Sequence, residues 1–301
     1  MLAPLAVYNT GYAFRINDVF VMNDSTWIAC GGIRGNEGII LKTMDSGNSW
    51  SRYESEFSKS IYSLKFLNDQ IGLAGGDYLH LWKTTDGGNT WAYNWLADQV
   101  PFNEEDRPAI QDIEFKSDSS WFFCGGENFG EGVIYESRDA GNDWDFVFRQ
   151  NEFRAMILLG ENEIVTGGHG VVLVANNHID SLSVADFRND FITGLTKTGS
   201  DECIAVTLNG AILKGTNSGS NWTQLAQGNN AFKSRINWSD VDSFEKHLVA
   251  VGNEGVVAES VDGGANWQYF EVINTPELIA VSVVEKFVIA TTGDGKIIRL
   301  F

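Results

Sequence analysis

The chain has 301 residues, with 32 Gly, 10 Trp and 19 Phe against four Pro, and a formal net charge of −19. That composition suits short strands joined by tight turns. The charge excludes a phosphate-binding nucleic-acid surface and docking to an anionic membrane, both of which need clustered Lys and Arg. No apolar run approaches the ~18 residues of a membrane span. Residues 1–7 are too short and lack the basic start of a signal peptide.

In chain order, the pattern opens with an alternating strand at residues 16–21 (INDVFV) and a second strand ending in small residues at 27–32 (WIACGG). A third strand at 38–42 runs into KTMDSGNSW (residues 42–50), whose Trp50 opens a fourth strand. The order then repeats. Second strands return as IGLAGG (71–76) and WFFCGG (121–126), and the turn returns as KTTDGGNTW (83–91), ESRDAGNDW (136–144), KGTNSGSNW (214–222) and ESVDGGANW (259–267). The common form is Ser/Thr-x-Asp-x-Gly-x-x-Trp. Its acid positions are Asp45, Asp86, Asp139 and Asp262, with Asn217 in a decayed copy, and its rings are Trp50, Trp91, Trp144, Trp222 and Trp267.

Each part has a local task. The carboxylate accepts N–H bonds from its own turn, the glycine supplies positive φ, and the tryptophan is buried between strands. The acids recur about every 40–45 residues, except for a double gap between Asp139 and Asn217. Residues 174–182 fit that vacancy, with Asn177 on the acid and Leu182 on the tryptophan. This period with four strands per unit is the signature of a β-propeller blade.

First strands begin near Ile16, Ile61, Ile110, Ala155, Ile192, Ile236 and Leu278, giving a seven-bladed β-propeller in one domain, 1–301. The last unit stops after its third strand, and residues 4–9 are expected to supply its outer strand and close the ring. Residues 96–107 carry Asp98, Glu104, Glu105 and Asp106 and read as a solvated acidic loop. Cys30, Cys124 and Cys203 form no CxxC pair and read as small buried hydrophobes.

In propellers, ligands usually meet the face built from second-to-third and fourth-to-first connections around the central channel. Arg15, Arg154 and Arg235 each immediately precede the first residue of a first strand, where the other units have Ser60, Ala109, Phe191 and Glu277. Three guanidinium groups converging there suit a carboxylate. The alternative is pairing with local acids such as Asp18 or Glu152. Arg34, His80, Glu127, Phe129 and His169 join them as candidate contacts.

Glu127, Glu131, Glu254 and Asp294 in second-to-third loops are the carboxylates a paired-acid glycosidase would use, against the plainer reading that acids beside glycine are turn residues. His80, His169, His178 and His247 fall in different repeats and make no metal-ligand set. Residues 31–38 and 125–132 are glycine-rich, but no helix follows to meet a dinucleotide pyrophosphate. No cofactor is expected.

The repeat I-x-D/S-[VIL]-x-F … G-G … G-x-[IV]-x-K/E-[ST]-x-D-x-G-x-x-W, present from about Tyr12 to Phe301, resembles the Asp-box (BNR) repeat propellers. The resemblance is closest to the photosystem II assembly and stability factor family of seven-bladed propellers. It implies a chaperone-like scaffold that binds a reaction-centre subunit. With the arginine trio, the expectation is a non-catalytic scaffold that holds a polypeptide, or its acidic tail, on the channel face. The resemblance also implies export to the periplasm or beyond, with a leader outside this sequence. A second resemblance is to sialidases, where Phe14-Arg15-Ile16-Asn17 is similar to the FRIP motif with Asn17 in place of proline. It implies a glycoside hydrolase or glycan-binding protein, with an arginine triad and a glutamate-activated tyrosine. Tyr8, Tyr12 and Tyr78 are the conceivable nucleophiles. Sialidase rings have six blades, against seven counted here.

Overall fold

A computed structural model describes residues 1–53, 59–96, 108–185, 190–227, 235–275 and 277–301, so most of the acidic stretch at 96–107 lies outside the described residues. Strand β1 (Ala6–Asn9) comes first. It is followed by β2 (Ile16–Val21), β3 (Trp27–Ile33), β4 (Glu37–Thr43) and β5 (Ser51–Tyr53), then β6 (Ile61–Phe66), β7 (Gly72–Gly76), β8 (His80–Thr84) and β9 (Ala92–Trp95). The third group is β10 (Ala109–Phe115), β11 (Trp121–Glu127), β12 (Gly130–Ser137) and β13 (Asp145–Arg149), and the fourth is β14 (Phe153–Leu159), β15 (Glu163–Gly168), β16 (Val171–Asn176) and β17 (Ser183–Val184). Next come β18 (Ile192–Lys197), β19 (Cys203–Thr207), β20 (Ala211–Thr216) and β21 (Asn221–Gln227), then β22 (Trp238–Phe244), β23 (His247–Gly252), β24 (Val256–Ser260) and β25 (Gln268–Glu271). The last are β26 (Leu278–Val284), β27 (Phe287–Thr292) and β28 (Lys296–Arg299).

Each group of four makes one antiparallel sheet in chain order, and the seventh sheet has the order β1-β28-β27-β26. The fold is a seven-bladed β-propeller of four-stranded antiparallel blades. The last outer strand comes from the N-terminal segment, as expected, although only Ala6–Asn9 of residues 4–9 is strand.

Two compact units divide the chain: residues 7–152 with 293–297, and residues 1–6, 153–292 and 298–301. In the first, β7 is buried along its whole length while β5 is largely exposed, so apolar content falls from the second strand outward. Its core includes Leu73, Ile110, Trp121, Phe123, Tyr135 and Trp144, and a second cluster holds Ile28, Cys30, Ile61, Trp82 and Trp91. The other unit is built on Ile157, Val165, Ile192 and Leu213, on Ile204, Trp238 and Ala250, and on Val249, Val281, Ile298 and Leu300. All three cysteines are free and buried, and burial pushes the Cys203 thiol up to about 12.

Every first strand carries a register break near its start: between Ile16 and Asp18, Ile61 and Ser63, Ile110 and Asp112, Phe153 and Ala155, Ile192 and Gly194, Trp238 and Asp240, and Leu278 and Val281. Such a bulge inserts residues that simple alternation does not reveal. It shifts two expected starts: the fourth blade begins at Phe153 (paired with Gly168) and the sixth at Trp238 (paired with Gly252), not at Ala155 and Ile236, while Ile110 holds the place of Ile16 and its strand extends one residue back to Ala109. Glycine is required near the ends of the second strands because a Cβ on Gly31 would overlap the Arg15 carbonyl, and one on Gly125 the Ala109 carbonyl.

The aspartate turns form as their chemistry requires. Thr43 Oγ1 donates to Asp45 (2.8 Å), Asp45 accepts from Ser49 N (2.8 Å), and Gly47 N donates to Thr43 Oγ1 (2.9 Å). Residues 84–90, 137–143 and 260–266 repeat this arrangement. The hydroxyl and backbone N–H of Thr90 hold Asp86 at about 2, and the side chain and N–H of Asn266 hold Asp262 at about 2. Among the rings, Trp91 and Trp144 are buried, while Trp50, Trp222 and Trp267 are half-buried and donate to the carbonyls of Gly47, Gly219 and Gly264. At the eroded copy, the Ser181 hydroxyl closes the turn by accepting from Asn176 N and donating to His178 O (2.8 Å each).

Candidate functional site

In the first unit, the second-to-third loops of three successive blades meet. Asp77, 3% exposed, follows the Gly-Gly pair of β7 and accepts from Gly35 N (2.8 Å), Ser60 N (3.2 Å) and the Tyr62 hydroxyl (2.9 Å). One buried carboxylate thus ties the β3–β4 loop to the β7–β8 loop. Arg34, next to Gly35, ion-pairs with Glu127 of β11, which brings the loop of the first blade to that of the third. Glu152, 2% exposed, accepts from Phe129 N (2.7 Å), and its own N–H donates to the Phe129 carbonyl (3.4 Å).

Tyr78 (φ 57°), Asn128 (φ 55°) and Phe129 (φ 65°) all adopt left-handed backbone, which is strained for a side chain unless its surroundings fix it. Here Asp77 and Glu152 do the fixing. Phe129 is held with 54% of its surface exposed, Ile33 with 37%, and the Lys59 ammonium lies 4.8 Å from the Tyr78 ring centre.

His80 is buried beneath the Trp82, Tyr93 and Trp95 rings, with centroids 5.3–6.1 Å away. With only 7% of its surface exposed, it packs under the loop and offers little to a ligand. Asp77, Ser60 and Tyr62 were not singled out from the sequence. Their signal was an acid directly after Gly-Gly, at a point where a solvated turn residue is the simpler reading.

In the second unit, Arg154 lies inside β14 at the bulge, with its guanidinium 5.4 Å from the Phe191 ring centre, and His169 meets the same ring edge-on at 5.6 Å. Asp190 accepts from Phe191 N (2.7 Å) and Asn209 Nδ2 (2.7 Å), and Asn209 Oδ1 accepts from Arg235 (3.0 Å). Arg154, His169 and Arg235 therefore belong to one chain of contacts through Phe191, Asp190 and Asn209.

The expected equivalence of the three arginines does not hold. Strand register puts Glu152 and Asn237 where Arg15 stands in the first blade. Arg154 instead matches Asn17, which donates to the Ile61 carbonyl of the next blade (2.7 Å). Arg15 itself is exposed just ahead of β2.

The residues weighed for catalysis are engaged as follows. Tyr8 packs edge-on against Trp27 (5.2 Å), Arg52 covers Tyr12 (5.0 Å), and Tyr78 carries Lys59. Tyr62 is bonded to a carboxylate, but burial and Asp77 push its phenol upward, opposite to what a nucleophile needs. Glu254 and Glu131 have left-handed turn backbone, and Asp294 pairs with Lys296. His178 is exposed and His247 contacts Glu259 (2.9 Å). Among the described residues no three His, Cys, Asp or Glu side chains cluster for a metal.

No protein-family model matches the chain, and no curated protein matches it. Solved structures similar to it include YCF48 bound to D1 peptide, with TM-score 0.76 and 17% identity over 99% of this chain and 97% of that one. YCF48 from Cyanidioschyzon merolae gives 0.73 and 14%, covering 99% and 98%. The WD40 β-propeller domain of Doa1 gives 0.71 and 11%, covering 99% and 96%. At these identities the likeness is one of fold.

Proposed function

We propose that this chain is a polypeptide-binding scaffold whose contact surface is the loop end of its blades. The reading rests on one observation above the others. Buried Asp77 and Glu152 fix the backbone of two strained loops, and Phe129, on the loop that Glu152 holds, keeps 54% of its surface in solvent. A surface ordered before binding loses little entropy when a flexible segment settles on it. The similar structure described as YCF48 bound to D1 peptide supports the reading, because there a propeller of this fold holds a peptide.

Arg34, Glu127 and Phe129 of the first unit make contacts in this proposal, as do Arg15 of that unit and Arg154, His169 and Arg235 of the second, with His80 bracing from beneath. The aspartate turns are read as Asp-boxes with a purely structural role, and the scaffold as one that assists assembly outside the cytoplasm.

Hydrogen exchange tests this. Added short peptides are expected to slow exchange in residues 33–36, 77–80 and 127–130, with the aspartate turns unchanged. A sialylated oligosaccharide that protects those loops, or is hydrolysed, would overturn the reading in favour of glycan chemistry.

A further inference from the structure

The loop face of the first unit also points to the charge of its partner. Its exposed apolar surface comes from Ile33 and Phe129, and two of its cations, Arg34 and Lys59, are already engaged. The Arg34 guanidinium, 59% exposed, is paired with Glu127, whose carboxylate is only 12% exposed. Lys59 lies over the Tyr78 ring. An incoming carboxylate that drew Arg34 away would leave this largely covered acid without its counter-ion.

Glu131, two residues from Phe129, is exposed and has no cation within ion-pair distance among the described residues. Beyond the site the chain carries a formal net charge of −19, a field that draws cations in and slows the approach of anions. The same unit repeatedly sets a cation over a ring: Lys59 on Tyr78, Lys83 on Trp121 (4.8 Å) and Arg52 on Tyr12 (5.0 Å).

We infer that this face takes a lysine- or arginine-bearing segment of another polypeptide, with one cationic side chain laid over Phe129 and ending at Glu131. The inference rests on the polypeptide-binding reading and gives the partner's charge. It reverses the expectation of an acidic tail, which stood on an arginine trio that strand register takes apart.

Fluorescence anisotropy of the full chain with three labelled peptides tests it. The peptides share one apolar pattern and differ only in carrying lysines, glutamates or serines. The lysine peptide is expected to bind about tenfold or more tightly than the glutamate peptide, and to weaken as salt rises. Phe129→Ala and Glu131→Lys should each reduce its affinity about threefold to tenfold, and both sites are exposed, so folding is not at issue. Glu131→Gln, which removes charge without reversing it, should fall between wild type and Glu131→Lys. If the glutamate or serine peptide binds best, or the variants bind the lysine peptide like wild type, the charge inference fails while the scaffold reading stands. If no peptide binds at all, both fail.

Discussion

Asp86 and Asp262 show how much one residue can do without taking part in chemistry. Each carboxyl sits near 2, below its ordinary 3.8, because its own turn donates to the charged form. The folded value is lowered, so the stabilisation is complete above the unfolded value and is lost as pH falls through the folded one. The urea midpoint of the wild type is therefore expected to drop between about pH 4 and pH 2. An Asp86→Ala/Asp262→Ala variant should fall less steeply over that window, and parallel curves would contradict the assignment.

Tyr135 makes the opposite case. It is fully buried, its hydroxyl finds no hydrogen-bond partner among the described residues, and burial pushes the phenol up. Removing that oxygen relieves an unmet polar group, so Tyr135→Phe should raise stability by about 1 kcal/mol in urea unfolding.

At the scale of elements, neighbouring strands are joined by side chains that sequence spacing partly reveals. Lys42 reaches the Gly87 carbonyl (2.9 Å) and Asn89 (2.8 Å) of the next turn, and Lys83 reaches the Ala140 carbonyl (2.9 Å) of the one after. Where the following sheet lacks the aspartate turn, the same place holds Glu136, bound to Arg138, or Glu259, bound to His247. Lys42 and Lys83 thus reach their neighbour's turn, whereas Lys214 at the same repeat position pairs with Glu202 (2.9 Å).

First strands are stapled by a second device. Asp240 accepts from Val241 N (2.8 Å) and from Val281 N of the next sheet (2.9 Å), as Asp18 does from Val19 N (2.7 Å) and Leu64 N (2.8 Å). Asp240→Ala is expected to lower unfolding free energy by about 1–3 kcal/mol, while the exposed Asp118→Ala should change it little. Equal effects would show that the staple carries no weight.

For the whole molecule, blade number and turn chemistry were legible because both are periodic and local. A tryptophan, a glycine and an acid recur at fixed offsets, and each needs only its own hairpin. The site was less legible for a physical reason. Arg34 meets Glu127, and Gly35 meets Asp77, across sheets, through distances that the fold sets and the spacing does not. One bulged residue per first strand was enough to shift Arg154 out of the class that Arg15 had suggested.

The seventh sheet gives a prediction at the same scale. Removing residues 1–9 takes β1 from β28 and uncovers the Trp27 ring that Tyr8 shields, leaving an open strand edge. The shortened chain should aggregate in light scattering at concentrations where the full chain stays clear.

Because β1 pairs with β28, the chain also has a built-in order of manufacture. During translation β1 leaves the ribosome long before its partner is made, and it must wait, unpaired, while six other sheets take shape. The final act of folding therefore falls after synthesis of β28, and a bulky fusion placed just ahead of β1 would interfere at that late moment rather than with any single blade.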